Sequence, residues 1–169
     1  MEFDTYLERM GTDTVGRYDV TPLFADSETF ADLRADLTAA IEFDDITHVV
    51  GIDALGFVLG GAIATEREVG FVPVRKGGKL PYPDAELLQR EFTDYSDESK
   101  TLELHPDRLG EGDRVLVVDE WVETGAQMRA TTALVEEAGA NVAAVTAICV
   151  PENEGTAPLF DRYEVHSIE

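Results

Sequence analysis

Apolar and polar positions fall in blocks along the chain, and the period changes from block to block. After Ser27, apolar residues recur at Phe30, Leu33, Leu37, Ala40 and Ile41, the spacing of a helix with one face on a core and Ser27 as its cap. Thr47–Asp53 is a short, almost unbroken apolar run and predicts a buried strand leading into a turn. Leu55–Glu66 is small and apolar at helical spacing, with Gly60 and Gly61 suited to close packing on a sheet, and Val69–Val74 predicts the next strand. From Arg75 to Lys100 the chain turns polar, with Gly77, Gly78, Pro81 and Pro83 clustered and no sustained core pattern. A stretch of that length inside a compact domain suggests a functional lid or a disordered insert. Regularity returns at Leu102–His105 and at Arg114–Asp119, a second buried strand. A helix follows over Met128–Ala138, ended by Gly139, then strands over Asn141–Val150 and Tyr163–Ile168. Strands alternating with helices predict an α/β fold whose sheet is largely parallel, with the first 26 or so residues as a small hood over it.

The 169 residues suit one domain, and 44% hydrophobic composition supplies a core without disulfides or metals. Acidic residues number 35 against 13 basic ones, a formal charge of −22, and only Lys76, Lys79 and Lys100 are lysines. Such a charge repels a nucleic-acid backbone and an anionic membrane surface, so neither is an expected partner. Acid spread along a normally hydrophobic, lysine-poor chain is the composition expected of a halophilic protein, because concentrated salt screens the self-repulsion. The acidic N-terminus has no apolar leader segment, and no stretch approaches the length of a membrane span, so a cytoplasmic location is expected. Cys149 lies in the apolar run Val145–Val150 and reads as a small buried hydrophobe. His48, His105 and His166 stand too far apart for metal-ligand spacing.

The segment that carries chemistry is Val115–Met128. Four apolar residues form a strand, Asp119 and Glu120 stand at its carboxyl end, and Trp121, Val122 and the turn Glu123–Gln127 lead into a helix. Ligands of open α/β sheets sit outside the carboxyl ends of the strands. Two adjacent carboxylates there can accept hydrogen bonds from a vicinal diol, and successive backbone N–H groups at a helix N-terminus bind an anion. Together they suit a ribose 5-phosphate. Trp121 is expected as a large core residue beneath this motif.

This stretch resembles the PRPP-binding motif of the type I phosphoribosyltransferases, and three more segments resemble the adenine phosphoribosyltransferases in order and spacing. These are Tyr18-Asp19-Val20-Thr21-Pro22-Leu23, the loop Gly51-Ile52-Asp53-Ala54-Leu55-Gly56-Phe57, and Phe71 through Pro81. The resemblance implies the type I phosphoribosyltransferase fold and Mg²⁺-dependent transfer of 5-phosphoribose from PRPP to a purine, by a homodimer. It implies that Asp119 and Glu120 hold the ribose hydroxyls, directly or through Mg²⁺, and that Glu123, Thr124, Gly125, Ala126 and Gln127 hold the 5′-phosphate. Asp53, Ala54, Leu55, Gly56, Arg75, Lys76 and Lys79 would serve the pyrophosphate, and Tyr18 and Val20 the purine. Arg75–Lys100 would be the mobile catalytic loop. The chain departs from the adenine pattern where Leu55 replaces an arginine, where Ala126 and Gln127 alter the phosphate cup, and where Tyr18 replaces a further arginine. At Glu123 the adenine enzymes have alanine, whereas hypoxanthine–guanine members carry an acid facing purine N7. Glu123 is therefore one expected acid/base and Asp94, in the loop, the other. The alternative expectation is a non-catalytic module that binds a purine nucleotide or PRPP. With no helix–turn–helix in the chain, such a sensor would act through a protein partner.

Overall fold

The structure, a computed structural model, describes residues 1–12, 18–93 and 98–169. The chain opens with α1 (Phe3–Arg9), a two-residue pairing of β1 (Gly11–Thr12) with β2 (Tyr18–Asp19), and α2 (Thr21–Ala25). Next come α3 (Ser27–Leu37), β3 (His48–Ile52), α4 (Leu55–Arg67) and β4 (Gly70–Lys76). The hairpin of β5 (Leu88–Thr93) and β6 (Ser99–Leu104) precedes β7 (Arg114–Val118), α5 (Ala126–Glu137), β8 (Asn141–Ala147), α6 (Ala157–Arg162) and β9 (Glu164–Ser167). Seven strands form one sheet in the order β5-β6-β4-β3-β7-β8-β9. β4, β3, β7, β8 and β9 run parallel, and the hairpin is antiparallel at one edge. This is the type I phosphoribosyltransferase fold that the sequence predicts.

The central strands are buried on both faces, which is why they read as continuous apolar runs. Along β7, Val115 and Val117 join one core with Leu134 and Val135 of α5. Leu116 and Val118 join the other, with Leu33 and Leu37 of α3, Leu59 and Ile63 of α4, and Tyr6 and Leu23 of the N-terminal segment. Tyr6, Met10, Val20 and Leu23 thus bring the described part of the N-terminal segment onto the α3–α4 side. The cap of α3 is Asp26, not Ser27: its Oδ1 accepts from Thr29 N–H at 2.8 Å, and Ser27 is already the first helical residue. The two candidates are adjacent, and both are good cap formers. Helix α5 begins at Ala126, before Met128, and Gly139 follows its end at φ 95°.

The polar stretch from Arg75 holds more structure than its pattern shows. Leu88 packs on the first core and Phe92 is buried in it. The residues between them (Gln89, Arg90, Glu91) are polar, which leaves a two-residue apolar signature too thin to read as a strand. β6 likewise begins at Ser99, ahead of the apolar residues Leu102 and Leu104.

Candidate active site

The strand order reverses between β3 and β7. From β3 the chain crosses to β4 on one side, and from β7 it crosses to β8 on the other. The crevice beyond the carboxyl ends of such a pair is where an open α/β sheet accommodates a ligand. Here it is a cavity of about 610 Å³. Asp53, Ala54 and Leu55 enter it from the end of β3, through a cis Asp53–Ala54 peptide, and Asp119 to Met128 enter it from the end of β7. β8 holds the latter stretch extended: Asp119 N–H donates to Thr146 O, Val122 N–H to Cys149 O, and Glu120 O accepts from Ile148 N–H.

Asp119 is 3% exposed. Its Oδ1 accepts from Glu120 N–H at 3.0 Å and its Oδ2 from Gln127 Nε2 at 2.9 Å. Burial, and after it the neighbouring Glu120 charge, push its carboxyl well above the ordinary aspartate range, against the pull of those two hydrogen bonds. Glu120 Oε2 is also buried and lacks a hydrogen-bond partner among the described residues. An orphaned oxygen beside a destabilised carboxylate gains from any hydroxyl donor or cation that a ligand brings. Gly56 lies hard against this pair. A Cβ there would stand 2.8 Å from Val118 O and 3.1 Å from Asp119 Oδ1, so any side chain would displace the acid.

The turn after the acids is built around Gly125, whose φ of 73° suits glycine and points the first turn of α5 into the cavity. The loop 151–156 backs it: Asn153 Nδ2 donates to Glu123 O at 3.0 Å, and Asn153 Oδ1 accepts from Gly155 and Thr156 N–H. Among the described residues, only Thr124 Oγ1, at 3.4 Å from Ala126 N, approaches the helix start from a side chain. The first N–H groups of α5 are therefore available to an anion.

The structure brings together in this cavity Tyr18, Val20, Asp53, Ala54, Leu55, Lys76, Asp119, Glu120 and the whole turn from Glu123 to Gln127. Three expected residues stand outside its lining. Gly56 is behind Asp119. Arg75 turns to Asp53, Nε to Oδ2 at 3.1 Å, with its guanidinium 5.7 Å from the Phe57 ring. Lys79 is exposed on the turn that follows β4. Asp94 lies outside the described residues. Trp121 is half-buried: it packs against the second core, as expected, and also lines the cavity, where it stacks on Tyr18, centroids 5.1 Å apart at 28°. Its pairing with Cys149, just past the end of β8, brings it to the cavity wall as well as to the core edge. Phe92 and Lys100 also line the cavity, reached through the β5–β6 hairpin. No group of three or more acidic, histidine or cysteine residues among the described ones forms a metal cage. A metal at this site would rest on the Asp119–Glu120 pair and on oxygens supplied by substrate, the usual way Mg²⁺ is held at phosphate sites.

The phosphoribosyl transferase domain model matches residues 24–169. Adenine phosphoribosyltransferase of Paracoccus denitrificans is 41% identical over 152 residues, 89% of this chain and 79% of the relative. The Streptomyces coelicolor enzyme of the same name is 43% identical over 130 residues, 77% of this chain and 69% of the relative. Among solved structures, adenine phosphoribosyltransferase from Rhodothermus marinus superposes with a TM-score of 0.88 at 32% identity, covering 98% of this chain and 96% of that one. The Giardia lamblia enzyme complexed with 9-deazaadenine gives 0.81 at 26% identity, with coverage of 98% and 96%. The chain belongs to the type I phosphoribosyltransferase family, whose members are glycosyltransferases.

Proposed function

We propose that the protein transfers 5-phosphoribose from PRPP to a purine in nucleotide salvage, with adenine as the base. The observation that carries this reading is one cavity holding a buried aspartate with a half-buried glutamate beside it, an open helix N-terminus and a lysine, inside a chain similar to adenine enzymes over most of its length. In this reading Asp119 and Glu120 accept the ribose hydroxyls and the first turn of α5 holds the 5′-phosphate. Lys76 faces the pyrophosphate, where negative charge builds as the C1′–O bond breaks and the C1′–N9 bond forms. Tyr18 and Trp121 offer an aromatic wall to the base. Mg²⁺ fits the site: two hard carboxylate donors, one with an unpaired buried oxygen, are what a cation shared with a diphosphate requires. When bound, it would neutralise diphosphate charge. We further propose a cytoplasmic homodimer adapted to high salt, with part of the Arg75–Lys100 segment closing over bound substrate.

The test is incubation of the pure protein in molar KCl with PRPP, Mg²⁺ and each purine base, following nucleotide formation. Turnover with adenine is expected. PRPP binding without turnover of any purine would leave the binding-module reading in its place. A second reading, hypoxanthine or guanine as the base, is favoured by one observation: Glu123, an acid in the turn, lines the cavity. If it exchanges a proton with the base, Glu123→Gln lowers kcat by about 10² to 10⁴ with the base that is used. Undiminished turnover removes Glu123 from that role.

A further inference from the structure

Glu103 is 1% exposed, yet it lies on a strand whose flanking residues Leu102 and Leu104 point into the core. Strand alternation places its carboxylate on the other face, at the register position opposite Arg75 of β4 and Gln89 of β5. There the chain leaving β4 folds over it. Gly77 N–H extends the ladder to Thr101 O at 2.9 Å, and Gly78 N–H then donates to Glu103 Oε1 at 2.8 Å, with Gln89 Nε2 on the same oxygen at 3.1 Å. Glu103 Oε2 is buried and has no hydrogen-bond partner among the described residues. Burial alone would raise this carboxyl, but the donors led by Gly78 outweigh it and hold it below the ordinary glutamate range. A buried carboxylate thus ties down the turn after β4 through one oxygen, which accepts a backbone amide and a side-chain amide. The residues this contact fixes are those on either side of Gly77-Gly78: Lys76, on the cavity wall, and Lys79. A second hollow, of about 540 Å³, lies beyond Lys76 and is lined by Glu103, Gln89 and Thr101 as well as Lys76 and Lys100.

We infer that Glu103 is a positioning residue for pyrophosphate: it closes the turn after β4, so that Lys76 is held on the wall the active-site cavity shares with the hollow behind it. The inference rests on the proposed phosphoribosyl transfer, and it separates Glu103 from residues that merely stabilise the fold. The part that matters is reach, from Oε1 to the Gly78 amide. Glu103→Gln keeps an acceptor at that distance, Glu103→Asp keeps the charge but falls one methylene short, and Glu103→Ala removes both.

Steady-state kinetics in molar KCl, with PRPP and base varied in turn, reads the difference. Glu103→Ala and Glu103→Asp should raise KM for PRPP by about tenfold while KM for the base stays within about twofold, and Glu103→Gln should recover most of the loss. Calorimetry with inorganic pyrophosphate should give the same order of affinities, and it can be read whether or not the wild type turns over a purine. Failure of the reaction assignment therefore shows in the wild type, and failure of the Glu103 inference in the variants. Where the Ala variant does not fold, the Asp variant carries the test. The inference is overturned if pyrophosphate affinity and KM for PRPP stay within about twofold of wild type in the Asp variant, or if both substrates' KM values rise together.

Discussion

At the scale of single residues, the departures from the family pattern acquire physical reasons. Gln127 replaces a residue expected to give a hydroxyl to phosphate, but its amide turns back to donate to Asp119 Oδ2. It thereby gives a buried, destabilised carboxylate one of its two hydrogen bonds. Gln127→Ala should weaken PRPP binding by about tenfold, the worth of a hydrogen bond to a charged group. Gln127→Glu should cost more, because it replaces the donor with a second negative charge. Calorimetry showing equal affinity for all three proteins would remove Gln127 from the support of Asp119. Nothing in the order of residues reveals this bond, since a glutamine at the second position of a helix can point either way. Cys149 is the opposite case, legible from its apolar neighbours. Burial, followed by the hydrogen bond its thiol donates to Glu169 Oε2 at 2.6 Å, pushes the thiol up to about 12. At pH 8 the native protein should react with iodoacetamide roughly a thousandfold more slowly than an ordinary thiol of pKa ~8.5, and unfolding should restore the rate. Native labelling as fast as unfolded would contradict the burial.

At the scale of elements, legibility followed the depth of burial. β3 and β7, apolar on both faces, could be placed to within a residue or two, and with them the carboxyl ends where the site lies. The edge strand β5 could not, because only Leu88 and Phe92 on it turn to the core. Its apolar positions are spread too thinly among Gln89, Arg90 and Glu91 to set a period. The consequence for a closing lid is specific. Residues Leu88–Thr93 are paired in register with Ser99–Leu104, and Leu102 and Leu104 are fully buried. Hydrogen exchange should therefore find the bonded amides of both strands slow before any ligand is added. Closure would be confined to segments outside the pairing. Fast exchange throughout Leu88–Thr93 in the unliganded protein, slowed by PRPP with a base analogue, would instead make the whole hairpin the moving part.

At the scale of the whole molecule, the acidic charge has few places to go. Thirteen basic residues cannot neutralise 35 acids. Several arginines are already spent on pairs, Arg34 with Glu66, Arg90 with Glu137 and Arg114 with Asp45 at 2.6–2.7 Å, and Arg162 with Glu136 at 2.8 Å. These pairs are partly exposed and contribute little individually. The excess acid is distributed over the surface, where it repels itself in dilute buffer and is screened as the Debye length falls from about 10 Å at 0.1 M salt to about 3 Å at 1 M. Thermal unfolding across a KCl series should therefore show a midpoint that climbs steeply up to about 1 M. The climb should amount to roughly 2–4 °C for each kcal/mol of repulsion removed in a chain of this size. The shape of the curve separates two causes. Screening saturates once the Debye length is shorter than the spacing between surface carboxylates, whereas exclusion of salt from the protein surface keeps adding stability as concentration rises. A midpoint that is flat to 1 M and rises only beyond it would assign the stabilisation to exclusion, and a midpoint independent of KCl throughout would mean that the net charge of −22 costs this fold nothing.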